Sequence, residues 1–285
     1  MRILVTGATG QVGQGVLRQL PVLAGPGDRV RVLARDETAA APWAARGAEV
    51  VPGDLRDADA VAKAVDGVDA VVNLAAAFKR GEEEGEIRAV NHDAALRLGR
   101  LARDAGAGRF VQASTNLVYG AGRDRPHEED DACVPGGPLW GPYAQSKAEA
   151  ESALLGLEGL DVRIGRLAFV YGDGDPHLRQ SLRWAAHWPS VKRMHLVHVT
   201  DAARGLVRLL LAPGPRGRVH NIADDAPVTA LDLHRVVGEE FPSGPRPAGD
   251  PDPWHGIVST ERLRRELGFV PRYPTVWSAR DAGAL

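Results

Sequence analysis

Two residue types that can move a proton stand four positions apart in the stretch "GPYAQSK" at 141–147. The pair is Tyr143 and Lys147, in a chain with only four tyrosines and four lysines, so chance is a poor explanation. Pro142 is favoured in the first turn of a helix, which predicts that both side chains lie on one helix face. A tyrosine hydroxyl ordinarily titrates at about pH 10, and a neighbouring ammonium favours its phenolate. The spacing therefore predicts an acid–base centre.

A hydroxyl that holds the substrate oxygen is expected near this pair. Ser114 and Thr115 end the apolar run "RFVQAST", and Thr115 is the candidate for hydrogen bonding to a carbonyl oxygen during catalysis. The alternative for Thr115 is a strand-end hydroxyl that bonds local backbone. Asn91 is a further catalytic candidate, able to bond backbone or to bridge a water to Lys147, with a solvated helix position as its alternative.

A glycine-rich turn near the start of the chain predicts a phosphate site. The stretch "LVTGATGQVGQG" places Gly7, Gly10 and Gly13 after an apolar run and at the start of a helix. Such glycines permit a tight turn and a close backbone approach to a pyrophosphate, which the free N–H groups of the helix N-terminus attract. Gln11 and Val12, in the first helical turn, belong to the same predicted site. A tight strand-to-helix turn without a ligand is the alternative.

The choice of dinucleotide depends on the end of the second predicted strand. An acidic residue there would bond the ribose 2′-hydroxyl, whereas an arginine accommodates a 2′-phosphate. The sequence is "VRVLARDE", with Ala34 at the expected position of the acid and Arg35 next. We therefore predict NADP(H) over NAD(H). An alignment shifted by one residue would instead place the acid of Asp36 at the ribose.

Further cofactor contacts are predicted at the ends of the third and fourth strands, because open α/β sheets bind ligands at the carboxyl ends of their strands. The third strand ends in "PGDLRD", which we expect to bring Asp54 and Leu55 to the adenine. The fourth ends in "NLAAA", whose small residues leave room for the cofactor. The predicted contacts from that stretch are Leu74, Ala75 and Ala76.

Short apolar runs rich in Val, Ile and Leu, such as "RVRVLA" and "RFVQAST", alternate with longer segments of helical period along the first part of the chain. The predicted helical segments are Gln11 to Leu23, Asp57 to Val65, Glu86 to Ala105, Tyr143 to Leu157, 201–212, 230–241 and 260–267. This alternation predicts an α/β fold with a doubly wound parallel sheet, covered by helices on both faces. We expect residues 1–171 to form this Rossmann domain with the catalytic residues. Residues 172–285 are expected to form mainly a small C-terminal substrate lobe, with one or two segments returning to the sheet. The Pro- and Gly-rich segment 242–253 is predicted to be a lid or a connector.

Composition and charge argue against several other classes of protein. A formal net charge of −2 leaves no basic stripe for nucleic acid, and no Cys/His grouping has the spacing of a zinc site. The single cysteine, Cys133, excludes an internal disulfide, and no apolar run approaches the length of a membrane span. These features predict a cytoplasmic protein with a small-molecule substrate and with no metal, no membrane and no nucleic-acid partner.

Other conspicuous residues are interpreted as structural or exposed. His195 and His198 have no evident carboxylate partner, and the run "HEEDD" at 127–131 is most simply a solvated loop. Three tryptophans either line the substrate pocket or pack the small lobe: Trp184, Trp188 and Trp254.

Together the motifs resemble the extended short-chain dehydrogenase/reductases, also called the NAD-dependent epimerase/dehydratase family. The resemblance covers nearly the whole chain and rests on "TGATGQVG", "GDLRD", "NLAA", "STNLVYG", "GPYAQSK", "VYGDGD", "HVTDAARGLVRLL" and "NIADD". It implies that Tyr143 and Lys147 form the family's YxxxK motif, and that Thr115, four residues before Tyr119, acts with them. It also implies a homodimer.

Departures from the family pattern narrow the predicted reaction. Dehydratase members carry an Asp-Glu pair just after the catalytic threonine, where this chain has Asn116 and Leu117. Nucleotide-sugar epimerases carry an asparagine and an arginine at positions that match Phe169 and Met194, although Arg193 is one residue from the latter. The prediction is an NAD(P)-dependent oxidoreductase acting on a carbonyl or secondary alcohol of a small sugar-like or secondary-metabolite substrate. The alternatives are a nucleotide-sugar epimerase and a non-catalytic NADP-sensing regulator.

Overall fold

The computed structural model describes residues 1–23, 25, 27–78, 83–136, 141–214, 218–244 and 252–285. Its strands are β1 (Arg2–Thr6), β2 (Arg29–Ala34), β3 (Glu49–Pro52), β4 (Ala70–Asn73), β5 (Arg109–Thr115), β6 (Asp161–Leu167), β7 (Phe169–Tyr171), β8 (Arg193–Met194), β9 (Leu196–His198), β10 (Arg218–Ile222) and β11 (Val228–Thr229). Its helices are α1 (Gln11–Leu23), α2 (Glu37–Ala44), α3 (Ala58–Val65), α4 (Glu84–Arg88), α5 (Ala95–Asp104), α6 (Gly141–Leu155), α7 (His177–Ala185), α8 (Val199–Leu211), α9 (Ala230–Val236), α10 (Glu261–Leu267) and α11 (Val276–Asp281). A π-helical turn, Ala89–Ala94, joins α4 to α5, and a 3₁₀ turn, Asn116–Tyr119, follows β5.

The central sheet has seven strands in the order β10-β6-β5-β4-β1-β2-β3, and all of its pairings are parallel. Because β1 lies between β2 and β4, strand addition changes direction at β1. In doubly wound sheets, the crevice at such a reversal is where ligands bind. The predicted fold class is therefore confirmed.

Helices cover both faces of the sheet because successive side chains of each strand point to opposite sides. On one face Val5 and Val111 belong to an apolar core shared with α1 and α8. On the other face Leu4 and Phe110 belong to a second core shared with α3, α5 and α6. Strands buried on both faces are continuous runs of apolar residues, which is the pattern seen in the sequence.

Three helices, α2, α7 and α11, lie outside the helical segments predicted from the sequence. α2 begins after Asp36, whose carboxylate accepts a hydrogen bond from the backbone N–H of Ala39 at 3.1 Å. α7 lies within residues 172–192, where the sequence showed little helical period. The buried residues of α7 are spaced as in an amphipathic helix, but a serine replaces one apolar residue and weakens the pattern. They are Leu178, Ser181, Leu182 and Ala185.

The small lobe has its own core, separate from those of the sheet. It contains a parallel pair, β7–β9, and an antiparallel pair, β8–β11, and its buried side chains include Tyr171, Leu182 and Val276. Two later segments return to the main body, since β10 pairs with β6 and residues of α8 join the core shared with α1. The division of the chain at residue 171 stays a prediction.

The predicted lid or connector at 242–253 lies largely outside the described residues, which omit 245–251. Of the helices within the described ranges, none combines the length and the apolar character that crossing a membrane requires.

Candidate active site

The predicted acid–base pair lies on helix α6, which begins two residues before Tyr143. The Nζ atom of Lys147 lies 6.0 Å from the centre of the Tyr143 ring, so both side chains face the same region. Lys147 is only 2% exposed, and its ammonium donates a hydrogen bond to the carbonyl oxygen of Ala113 at 3.1 Å. An ammonium has three donors, so Lys147 keeps donors for other partners.

A buried chain of polar side chains supports the carbonyl group that holds Lys147. Thr6, Asn73 and Gln112 occupy matching register positions on β1, β4 and β5. The Thr6 hydroxyl donates to the Asn73 amide oxygen, and the Asn73 amide group donates to Gln112 at 2.8 Å. Gln112 then donates to the Ala113 carbonyl oxygen at 2.7 Å, which is the acceptor for Lys147. This chain was not predicted from the sequence, although one polar residue near the end of each apolar strand was a signal for it.

Thr115 ends β5, and its hydroxyl oxygen accepts a hydrogen bond from the backbone N–H of Leu117 at 3.2 Å. The local backbone bond that was the alternative for this residue is therefore present. That bond uses the oxygen as an acceptor, so the hydroxyl proton stays available for a substrate oxygen. The amide oxygen of Asn116 is 3.5 Å away, too long for a strong hydrogen bond.

Asn91 lies in the π-helical turn and is fully buried, so the solvated alternative is wrong. Its amide bonds both the N–H and the carbonyl group of Ala77 at 2.8 Å, and donates to the Ser146 hydroxyl at 3.1 Å. Ser146 precedes Lys147 on α6. Asn91 thus ties the chain leaving β4 to the helix that carries the acid–base pair, which is a positioning role, and its predicted catalytic role stays a prediction.

Burial sets the proton affinities of the pair in the protein alone. It raises the pKa of Tyr143 to about 12. It lowers the pKa of Lys147 to about 8, against the opposite effect of the Glu151 carboxylate. The expectation that Lys147 brings the Tyr143 pKa toward neutrality is not met here, because burial raises this pKa. Tyr143 therefore carries its proton at neutral pH, ready to donate it.

The Lys147 pKa predicts a pH dependence for the reduction of a carbonyl group. Below about pH 8 the ammonium is charged and stabilises the phenolate that forms as Tyr143 gives up its proton. We expect kcat to be level up to about that pH and to fall tenfold per pH unit above it. Steady-state rates between pH 5 and about 10 measure this limb.

The control for this limb is Lys192→Met, because burial also lowers the pKa of Lys192. The limb should persist in Lys192→Met and disappear in Lys147→Met, whose rate should be low and independent of pH. If the fall in rate above about pH 8 were lost in Lys192→Met, Lys192 and not Lys147 would be its source.

The glycine turn forms a cradle in which each glycine has a different reason to lack a side chain. Gly7 has φ +65°, and a methyl group there would lie 2.6 Å from the backbone nitrogen of Ala75. A methyl group on Gly13 would overlap the carbonyl oxygen of Gly7. At Gly10 the nearest atom would be 3.4 Å away, so a methyl group would fit there in ordinary contact next to the start of α1. A cradle closed by backbone and open at a helix N-terminus fits a pyrophosphate.

The backbone of Leu74 and Ala75 forms one wall of this cradle, because both lie against Gly7. Gln11 begins α1, and its side-chain amide donates to the carbonyl oxygen of Gly172 at 3.3 Å. Val12 packs against the core beside α1. Ala76 follows Ala75 in the chain that leaves β4. These positions agree with a cofactor running along the carboxyl edge of the sheet.

Arg35 follows β2, and its side chain is 75% exposed, with a guanidinium nitrogen 3.8 Å from the Asp54 carboxylate. Asp54 is held mainly by Arg56, whose hydrogen bonds lower the pKa of Asp54. Asp36 caps helix α2, so its carboxylate is engaged at the helix start. Leu55 is buried in the core beneath α3, and its predicted contact with adenine stays a prediction.

The two histidines set aside in the sequence are indeed buried, but each lies within 4.0 Å of a carboxylate, His195 of Asp224 and His198 of Asp173. His195 lies 3.7 Å from Asp224, and burial lowers the pKa of His195 to about 4 and raises that of Asp224 to about 8. His198 caps α8 through Thr200. Within the described part of the chain, no group of three or more acidic, histidine or cysteine side chains could hold a metal ion.

The interpretation of residues 127–131 as a solvated loop is wrong for two of its members. His127 is fully buried and stacks on the Tyr119 ring, and the buried Glu129 accepts a hydrogen bond from the backbone of Asn221 at 2.9 Å. Arg166 lies beneath them and binds both the Tyr119 hydroxyl and the Glu151 carboxylate. The ion pair between Arg166 and Glu151 is close to the acid–base pair, because Glu151 lies one turn after Lys147 on α6. Sequence reasoning missed it because its members come from distant segments.

The fold and the site together define a class, the Rossmann-fold enzymes with a glycine cradle and a Tyr/Lys pair at the carboxyl edge of the sheet. The model of the NAD dependent epimerase/dehydratase family matches residues 3–223, and the chain belongs to this family. It is an enzyme of the extended short-chain dehydrogenase/reductase type, so the predicted family and enzyme class are confirmed.

Relatives of known activity span reduction and dehydration. The chain is 30% identical over 237 residues to the 4-hydroxy-2-methyl-3-oxo-4-farnesyl-3,4-dihydroquinoline-1-oxide ketoreductase of Stigmatella aurantiaca, covering 80% of this chain and 70% of the relative. It is 31% identical over 291 residues to the ceramide reductase of Caulobacter vibrioides, covering 99% and 83%. The crystal structure of the dTDP-glucose 4,6-dehydratase DesIV from Streptomyces venezuelae, with NAD bound, superposes with a TM-score of 0.80 at 28% identity, covering 99% of this chain and 97% of that one.

Proposed function

We propose that the chain reduces a ketone to a secondary alcohol, or runs the reverse reaction, with a nicotinamide dinucleotide. The observation that carries this proposal is Tyr143 beside a buried Lys147, with the Thr115 hydroxyl on the adjoining strand end. When bound, the nicotinamide ring supplies or accepts the hydride. Thr115 donates a hydrogen bond to the substrate oxygen, and Tyr143 gives that oxygen its proton. Lys147 stabilises the phenolate that is left.

Reduction is preferred over dehydration because of the residues beside Thr115. Asn116 and Leu117 carry no acidic group, and the Asn116 amide donates to the Gly256 carbonyl oxygen at 2.6 Å. An amide held in this way does not act as the acid and base that eliminate water. Two relatives are named for reductions, a ketoreductase and a ceramide reductase, which supports the same choice.

Epimerisation is the alternative, because the same three residues can oxidise an alcohol and then reduce the ketone from its other face. Cofactor exchange separates the two reactions. Net reduction predicts a cofactor that exchanges freely and is consumed in equal amounts with the ketone. A tightly held nucleotide, found by mass spectrometry of the purified protein and not exchanged by added NADPH, would support epimerisation. Binding without turnover of any carbonyl or alcohol would support the NADP-sensing regulator.

We also propose that NADP(H) is preferred over NAD(H), on the position of Arg35. Its exposed guanidinium at the end of β2 fits a 2′-phosphate by charge and by its paired N–H donors. The Asp36 carboxylate is used in capping α2, which leaves Arg35 as the residue to meet the ribose. NAD is the cofactor in the solved dehydratase, so this preference needs its own measurement.

The change that tests this preference is Arg35→Ala. We expect the Kd for NADPH to rise about tenfold to a hundredfold, the effect of losing a charge-assisted pair, and the Kd for NADH to change less than about twofold. Fluorescence titration of the two cofactors measures both. Arg46→Ala is the control, since Arg46 lies over the Trp43 ring and should leave both constants unchanged. NADH binding as tight as NADPH binding in the unaltered protein would refute the preference.

The partner of this enzyme is a small-molecule substrate. The homodimer and the cytoplasmic location stay predictions, and sedimentation of the purified protein tests the first of them.

A further inference from the structure

A partly exposed aromatic ring lies against Tyr143. Phe78 is 44% exposed, and its ring meets the Tyr143 ring edge to face, with centres 6.2 Å apart. Leu117 is half-buried, two residues after Thr115. An aromatic ring left nearly half exposed next to an acid–base tyrosine is costly in water, and a bound apolar group would cover it.

The small lobe brings more apolar side chains to the same edge of the sheet. Leu167 pairs with Thr115, and Phe169 follows two residues later at the start of β7, so its Cα lies no more than about 12 Å from the Thr115 Cα. Trp184 lies edge to face on Phe169, with ring centres 5.9 Å apart. Met194 precedes His195, whose carbonyl oxygen accepts the Phe169 N–H at 3.1 Å. Phe169, Trp184 and Met194 are half-buried, whereas Leu167 and His195 are buried.

We call the five partly exposed side chains the apolar wall: Phe78, Leu117, Phe169, Trp184 and Met194. Together they offer one strong hydrogen-bond donor, the Trp184 indole, and no strong acceptor. A sugar has a hydroxyl on most of its carbons, and each loses water without gaining a partner when it faces such a wall. A hydrocarbon or aromatic group gains from the same contact.

Two cations of the small lobe lie over aromatic rings that are not members of the apolar wall. The ammonium of Lys192 lies 5.3 Å from the Trp188 ring centre, and the Arg193 guanidinium lies 5.3 Å from that of Trp254. Arg193 also donates to the Pro253 carbonyl oxygen. Each cation therefore has an aromatic face outside the wall as a neighbour.

We propose that the substrate carries its ketone on an apolar body, alkyl or aromatic, which the apolar wall covers during reduction. This proposal rests on the proposed function, because it names the substrate class of that same site. Phe78, Phe169 and Met194 are then specificity-determining residues, and a nucleotide-linked keto sugar is the substrate class that the wall rejects.

The test is a series of methyl ketones from butanone to undecan-2-one, assayed for NADPH consumption beside dihydroxyacetone and a dTDP-linked 4-keto sugar. We expect kcat/KM to rise about two- to fourfold for each CH₂ group until the wall is covered. Phe169→Asn and Met194→Gln should lower this increment. The ratio of kcat/KM in the unaltered protein to kcat/KM in each variant should therefore grow with ketone chain length. Val270→Asn is the control, because Val270 is 65% exposed and lies outside the wall.

A flat series with turnover of the keto sugar would overturn the proposal and leave ketone reduction standing. If none of these carbonyl compounds caused NADPH to be consumed, the proposed function would be overturned. Binding then decides the substrate class without turnover. A rise in Tm that grows with ketone chain length and is smaller in Phe169→Asn supports the apolar wall, whereas a rise with the keto sugar alone overturns it.

Discussion

Replacing Tyr143 with phenylalanine should lower kcat for ketone reduction by about a thousandfold, the middle of the range for loss of a general acid. The change removes only the hydroxyl group. The ring keeps its edge-to-face contact with Phe78 and its place beside Lys147, so the helix and the cofactor cradle stay intact. We expect Tm to shift by less than about 2 °C and the Kd for NADPH to change less than about threefold. Single-turnover hydride transfer under saturating cofactor isolates the chemical step.

The control for this change is Tyr273→Phe, which removes the same hydroxyl from a tyrosine that lies against His198 in the small lobe. Its rate should equal that of the unaltered protein. Turnover by Tyr143→Phe within about tenfold of normal would show that another group protonates the substrate oxygen. Loss of NADPH binding in the same variant would instead point to a folding defect.

Gly13→Ala should abolish cofactor binding in the concentration range where the unaltered protein is saturated. The added methyl group would overlap the Gly7 carbonyl oxygen and lie 2.8 Å from the Ala8 Cα, so the turn and the start of α1 must separate. Overpacking of this kind costs about 2 kcal/mol, and the helix propensity gained from alanine, at most about 1 kcal/mol, does not offset it. We expect a lower Tm by a few degrees and a rise in Kd of more than about a hundredfold. Thermal melts and isothermal titration measure the two effects.

Gly10→Ala is the matched variant, because a methyl group there would meet no atom closer than 3.4 Å. It should fold with a normal Tm and still bind NADPH at least about tenfold more weakly, since the methyl group occupies the space next to the phosphates. Normal affinity in both variants would remove the pyrophosphate from this cradle. A lowered Tm in Gly10→Ala with normal affinity would mean that its glycine is needed only for the turn.

Features that depend on local sequence could be predicted closely. The helix predicted over Gln11 to Leu23 and the strands "RVRVLA" and "RFVQAST" have the predicted bounds in the structure. Their ends are marked by glycine turns or by changes from apolar to polar residues. α7 was not predicted, because its apolar contacts with the small lobe come from segments far away in the sequence.

The candidate site divides in the same way. The spacing of Tyr143 and Lys147 required only helix geometry, and the structure places them as expected. The sequence could not show that Lys147 is held by the Ala113 carbonyl group, or that burial dominates the pKa of both residues. Desolvation depends on what covers a group, and that is known only once distant segments have packed. The same reason explains why His127 and Glu129, in a run of charges, are buried.

The position of β10 has a consequence for how the chain reaches its native state. This strand comes from residues 218–222, yet it borders β6, next to the strand that ends in Thr115. During synthesis, β6 therefore has an unpaired edge while the fifty residues between it and β10 are added, including those from β7 to α8. Unpaired edges recruit other strands, and contacts between distant segments form slowly. Nascent or truncated chains that end before β10 should accordingly be the species most prone to aggregate.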